Sequence, residues 1–177
     1  MIWKIVNFTL FYVGWYACIW AASVDRPLIG ILILFSILAL DFVASKNKMK
    51  YIFILFSVLT IGMIIDSLYQ VLGIIIFKSN LSLFPNGAPF WILSLYALFA
   101  TTINSSLSWL KGRPVISGLI GLIGVPFCYK TGELIGAATF PLGLVNTMII
   151  IGVVWAFLLP FIFWYAKKID QLWIKLF

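Results

Sequence analysis

Apolar residues run almost unbroken through six stretches of the chain, at positions 5–22, 27–44, 51–77, 89–110, 114–140 and 144–166. A helix rising ~1.5 Å per residue needs ~20 apolar residues to cross a hydrocarbon layer about 30 Å thick, and each stretch is near or above that length. Strands of a membrane barrel would alternate in segments of roughly ten residues, which these runs do not. The pattern predicts an all-α fold: a polytopic six-helix transmembrane bundle filling residues 1–177 as one membrane domain. The first run is too long and too aromatic for a signal-peptide core and is read as a span. Connections are short, and only the segment 78–88 has any size, with Pro85-Asn86-Gly87 marking a turn inside it. In the tail 167–177, Ile169, Leu172, Trp173 and Leu176 fall at i, i+3, i+4 and i+7. That spacing predicts a short C-terminal interfacial helix, the alternative being the frayed end of the last span.

Composition removes most other classes. Of the 177 residues 64% are hydrophobic and 10% charged, and the mean hydropathy is +1.16; no soluble domain of this size hides so much apolar surface. The net charge of +7 sits in short loops, where it sets orientation, so nucleic acid is not an expected partner. Lys4, Lys46, Lys48, Lys50, Lys111, Arg113, Lys167, Lys168 and Lys175 fall on one side, and Arg26, Lys78 and Lys130 on the other. The richer side is expected to be cytoplasmic, with both termini there. Cys18 and Cys128 stand alone in apolar runs and there is no histidine, which excludes most zinc, haem and iron–sulfur sites. No metal ligands, no cofactor and no catalytic set are predicted; two buried hydrophobic cysteines are.

Candidate chemistry concentrates at Asp66, an acid inside the third span. A carboxylate at membrane depth costs roughly 2.5–3.5 kcal/mol on insertion scales, so it needs compensation. Gly62, Asp66, Tyr69, Gln70 and Gly73 recur at helical spacing on one face, which should look into protein. Counting depth from the basic side puts Asp66 about 20 Å in, and Tyr129 and Lys130 of the fifth span about 22–24 Å in. Lys130 is thus the best-placed cation for Asp66; a local Lys130–Glu133 pair, leaving Asp66 protonated, is the other arrangement the spacing allows. Gln70, Glu133 and Asn146 fall near this outer layer. A second, inner layer holds Asn7, Thr101, Asn104, Ser105 and Ser108, about 10 Å deeper, and reads either as helix-pinning hydrogen bonds or as part of a site. Asp41, near Lys46 and Lys48, is expected to be a solvated partner. Gly118, Gly121, Gly124, Gly132 and Gly136 surround Pro126 in the fifth span, which predicts close packing and a bend just before Tyr129.

The run Pro89-Phe90-Trp91, Leu98-Phe99-Ala100-Thr101-Thr102-Ile103-Asn104, Ser106-Leu107 and Trp109-Leu110 resembles a bacterial inner-membrane family, Domain of Unknown Function 2878. Gly121, Gly124, Pro126, Tyr129, Gly132, Leu134, Gly136 and Ala137 fit the same pattern, as do Asn7-Phe8, Gly14-Trp15 and Gly62…Asp66…Gly73. The chain departs from it at Val125, where a glycine is usual, and at Glu133, where a small residue is. The resemblance covers nearly the whole chain and implies the architecture, a bacterial inner-membrane location and, through lipid-modifying enzymes often encoded near its members, a hint of lipid. Candidate ligand-binding residues are Asp66, Tyr69, Gln70, Tyr129, Lys130 and Asn104. The leading expectation is binding or transport of a small amphiphile or lipid, with membrane lipids as partners. A membrane-embedded enzyme or accessory subunit in lipid modification, and a substrate-capture subunit of a vitamin-type importer, are the alternatives.

Overall fold

The computed structural model describes residues 2–78 and 81–176; loop positions 79 and 80, the side chains of Lys175 and Leu176, and position 177 lie outside the described residues. Six helices follow in order. They are α1 (Ile2–Ser23), α2 (Pro27–Ala44), α3 (Lys48–Val71), α4 (Phe90–Ile103), α5 (Pro114–Leu134) and α6 (Leu144–Leu176). All but α4 are long and apolar enough to cross a membrane. The chain is therefore a multi-pass membrane protein built as an all-α bundle.

The order of ends can be read from side chains. At one end, Lys4 donates to Ser108, and Lys50 and Lys111 both pair with Asp170. At the other, Lys78 pairs with Asp25 and donates to the Ser23 carbonyl. Successive helices thus alternate in direction, and both α1 and α6 have their chain-terminal ends on the first side, here called the basic end. The opposite end carries two short strands, β1 (Ile76–Phe77) and β2 (Ala138–Thr139), paired antiparallel with Ile76 opposite Thr139.

These strands correct the expected lengths of the third and fifth spans, which stop at Val71 and Leu134 rather than at positions 77 and 140. The cause is the same at both. Gly73 (φ +67) and Gly136 (φ +83) take the left-handed conformation, and the next residue's N–H returns to the carbonyl of Tyr69 or Gly132. Glycine does this without a Cβ penalty, which ends the helix.

The fourth span is also shorter than expected. α4 has 14 residues, ~21 Å, and gives way to turns and a 3-10 segment over Ser108–Leu110. Thr101 and Thr102 hydroxyls donate back to the carbonyls of Leu98 and Phe99, and the Thr-Asn-Ser run beyond offers further local competitors for the backbone. Ten residues of α4 are buried, because α1, α2 and α3 all pack on it.

α5 pairs with α6. Inside it, Ile120–Gly124 form a π turn, in which the Val125 N–H reaches the carbonyl of Ile120. The turn lies just before Pro126, which has no N–H to continue an α ladder, so the expected irregularity sits one turn earlier and the helix runs on. A Cβ on Gly121 would stand 2.1 Å from the Trp155 carbonyl oxygen, so the two backbones touch only because that position is glycine.

The tail is not a separate interfacial helix. α6 runs unbroken for 33 residues, ~50 Å, longer than the hydrocarbon layer. Its last turns stay upright because Asp170 holds Lys50 (3.0 Å) and Lys111 (2.6 Å), Ile169 is buried, and Trp173 meets the Phe53 ring.

Candidate binding site

Asp66 and Tyr129 each lie five residues before the end of their helix, and the β1–β2 pair joins those two ends. This sets the two side chains at one height. The Tyr129 hydroxyl donates to Asp66 Oδ1 at 2.8 Å, and the Tyr96 and Tyr129 hydroxyls stand 3.4 Å apart. Asp66 is wholly buried, and its Oδ2 has no partner. Tyr69, buried one turn on, sets its ring edge-on to Tyr129 with centroids 6.1 Å apart. Its hydroxyl is also unpartnered, as is the indole N–H of Trp155, whose ring stacks on Tyr96 at 6.0 Å.

Tyr96 reaches this cluster because Gly62 lies beneath it. A Cβ at position 62 would be 2.2 Å from the Tyr96 ring, so the glycine lets the ring lie flat on α3. Tyr96 and Trp155 are absent from the sequence-derived candidates. Tyr96 sits six residues into α4, about 9 Å from the strand end, so the depth count used for Asp66 was the signal that would find it.

The cluster borders a cavity of about 320 Å³. Its walls come from Phe11–Ile19 of α1, Trp91–Phe99 of α4 with Leu107 and Leu110 beyond it, Ile120–Gly132 of α5, Trp155 and Leu159 of α6, and Phe77 and Ala138 of the strands, with Asp66 the one contribution of α3. Twelve residues of α5 separate its two limits, a length of ~18 Å. Almost every lining side chain is apolar or aromatic; Asp66 is the one acid. Tyr12 and Cys128 are both on the wall and on the outer surface of the bundle, so the cavity opens sideways between α1 and α5. Counted from the basic end, these two stand about 15 and 21 Å up their helices, within the apolar band.

The other candidates are placed elsewhere. Lys130 is half-buried, does not line the cavity and does not pair with Asp66; among the described residues the ion pairs involve Lys50, Lys78 and Lys111 instead. The partner of Asp66 is the residue before it, whose side chain points ~100° away around the helix. Glu133 forms no ion pair either, and Asn146 is exposed and donates to the Leu142 carbonyl of its own helix start. Gln70 donates to the Gly87 carbonyl, while Ser67 accepts from the Ala88 N–H, so both hold the 78–88 loop on α3.

Asn104 is exposed at the basic end and accepts from Lys111. The inner polar layer is a separate network centred on Asn7, which is 2% exposed. Asn7 donates to Asp41 Oδ1 (3.1 Å) and to the Thr101 hydroxyl (3.3 Å), and accepts from the Ser106 hydroxyl (2.7 Å). Asp41 is therefore buried, not solvated; Lys48 caps the Phe42 and Val43 carbonyls at the end of α2 instead. Of the two cysteines, Cys18 is buried as expected and Cys128 is exposed.

The described residues contain no group of histidine, cysteine and acidic side chains arranged to hold a metal. The site offers one carboxylate, a phenol donating to it and a long apolar slot. No curated protein and no solved structure matches the chain. The family described as "Protein of unknown function (DUF2878)" matches residues 4–161, and the chain belongs to that family.

Proposed function

We propose that the protein binds a single-chain amphiphile in the cavity between α1, α4, α5 and α6. The head lies at Asp66 and Tyr129 and the chain runs along the aromatic walls toward the basic end. One observation carries this reading: an apolar slot running along ~18 Å of α5 has a buried carboxylate in its wall, toward the strand end, and its mouth within the apolar band. Ligand sites are commonly apolar clefts with a few convergent polar groups, and the proportions here suit a tail with a small head. The sideways mouth supports exchange with the bilayer rather than with water. The basic end, carrying nine of the twelve lysines and arginines, is proposed to face the cytoplasm of a bacterial inner membrane, with both termini inside.

Gly132 supplies the test. It lines the cavity, and a Cβ there would meet nothing within 4 Å. Gly132→Leu should therefore fill the slot without disturbing helix packing. Native mass spectrometry of the protein released from nanodiscs should show retained single-chain amphiphile for the natural protein and little for the variant. Equal retention by both, with both folded, would remove the basis for this reading.

A further inference from the structure

We infer that the head of the bound amphiphile is cationic, an alkylammonium group seated against Asp66 and the rings of Tyr96, Tyr129 and Trp155. This rests on the amphiphile reading above and adds the charge of the ligand. Two acceptor positions of a buried carboxylate need donors, and Tyr129 supplies one of them, to Oδ1. Oδ2 has none, Asp66 borders the cavity, and no lysine or arginine among the described residues pairs with it. A buried charge is tolerated when an opposite charge with a hydrogen bond meets it. A primary ammonium satisfies both requirements at Oδ2, through N–H donation and charge. A fatty alcohol could donate but brings no charge, and an anionic head would meet a carboxylate of its own sign.

The surroundings select the same chemistry. Tyr96 and Trp155 stack at 6.0 Å with planes 21° apart, and Tyr69 stands edge-on to Tyr129. Tyr96 lies flat on Gly62 and stacks on Trp155, so these rings exclude water around Asp66, and in such surroundings attraction between the carboxylate and a cation is stronger than in water. The combination of one carboxylate and several aromatic rings in the wall of an apolar slot is the recognition chemistry of an amine with a hydrocarbon tail.

The test uses the full chain in nanodiscs of zwitterionic lipid and three probes with one brominated alkyl chain: an amine, an alcohol and a sulfate. Trp15, Trp91 and Trp155 line the cavity, so bromine in the slot quenches their fluorescence. The amine should bind about tenfold tighter than the alcohol, with the sulfate weakest. In Asp66→Asn, an isosteric change, the amine should fall to the level of the alcohol while the alcohol still binds. Retained alcohol binding shows that the Asp66→Asn protein is folded, and Lys130→Met, which removes a charge outside the cavity, should keep the amine preference. Amine and alcohol binding equally in the natural protein, or an amine preference surviving in Asp66→Asn, overturns the cationic head and leaves the amphiphile reading intact. Quenching by none of the three probes overturns both.

Discussion

Gly62→Ala tests how the site is assembled. The added Cβ would lie 2.2 Å from Cγ of Tyr96 and 2.3–2.5 Å from both Cδ atoms, whereas ordinary contact begins at 3.4 Å. The ring must retreat by about 1.2 Å, against the Trp155 ring that stacks on it. Overpacking of this kind costs about 1–3 kcal/mol. Replacing a helical glycine with alanine returns up to ~1 kcal/mol of backbone propensity. Taking the full propensity gain, the net expectation is a loss of up to about 2 kcal/mol, read as a lower midpoint in reversible denaturant unfolding of the detergent-solubilised protein. The displaced hydroxyl, now 3.4 Å from Tyr129, moves out of reach as well, so amphiphile retention should fall. Gly132→Ala is the internal control: the same change at a helical position with open space should be neutral or stabilising. In a Tyr96→Leu background the penalty at position 62 should shrink, because the planar ring that clashes is gone. A Gly62→Ala protein as stable as the natural one, or a penalty unchanged by Tyr96→Leu, would show that the glycine does not seat the ring.

Two further outcomes concern the basic end. Asn7→Leu removes the amide that donates to the buried Asp41 carboxylate, leaving it Trp3, and takes the acceptor from the Ser106 hydroxyl; a buried group left without a partner costs about 1–3 kcal/mol, and unfolding midpoints for Asn7→Leu, Asp41→Leu and the double variant should show the second change costing less once the first is made. Burial lowers the pKa of Lys111 below 10.5 although the Asp170 carboxylate raises it, so the folded state binds this proton less readily than the unfolded chain. Stability attributable to Lys111 should thus rise with pH across the window ending at 10.5, and Lys111→Met should remove that rise from the alkaline side of a stability–pH curve.

The bundle was legible because its signals are local and redundant. Five of six apolar runs became membrane-length helices, and the acid at position 66 faces protein as its glycine–tyrosine face implied. Helix ends were less legible. Gly73 and Gly136 read equally as packing glycines or as stops, and the choice depends on β1 meeting β2, a contact between segments some sixty residues apart. Polar pairing was legible in depth but not in azimuth. Counting residues set Lys130 and Tyr129 at the height of Asp66, yet only packing decides which of two neighbours, ~100° apart on the helix, turns inward. The answer, a tyrosine, could not come from charge arithmetic.

The same limit explains Asp41. Its neighbours in sequence are lysines, which suggested a solvated pair, but its hydrogen-bonded neighbours in space are on α1. Asn7 joins three helices through hydrogen bonds to Asp41, Thr101 and Ser106, and none of those links has a sequence period. The two polar layers therefore differ in what they border. Both leave buried groups open: Ser105 and Tyr51 hydroxyls near the Asn7 hub, and Asp66 Oδ2 and the Trp155 N–H in the other layer. Each open buried group lowers stability, so incompleteness alone does not mark a site. Asp66 and Trp155 border the cavity whereas Ser105 and Tyr51 do not, and that placement, more than the presence of an acid in the membrane, is what supports the binding role proposed for the Asp66 layer.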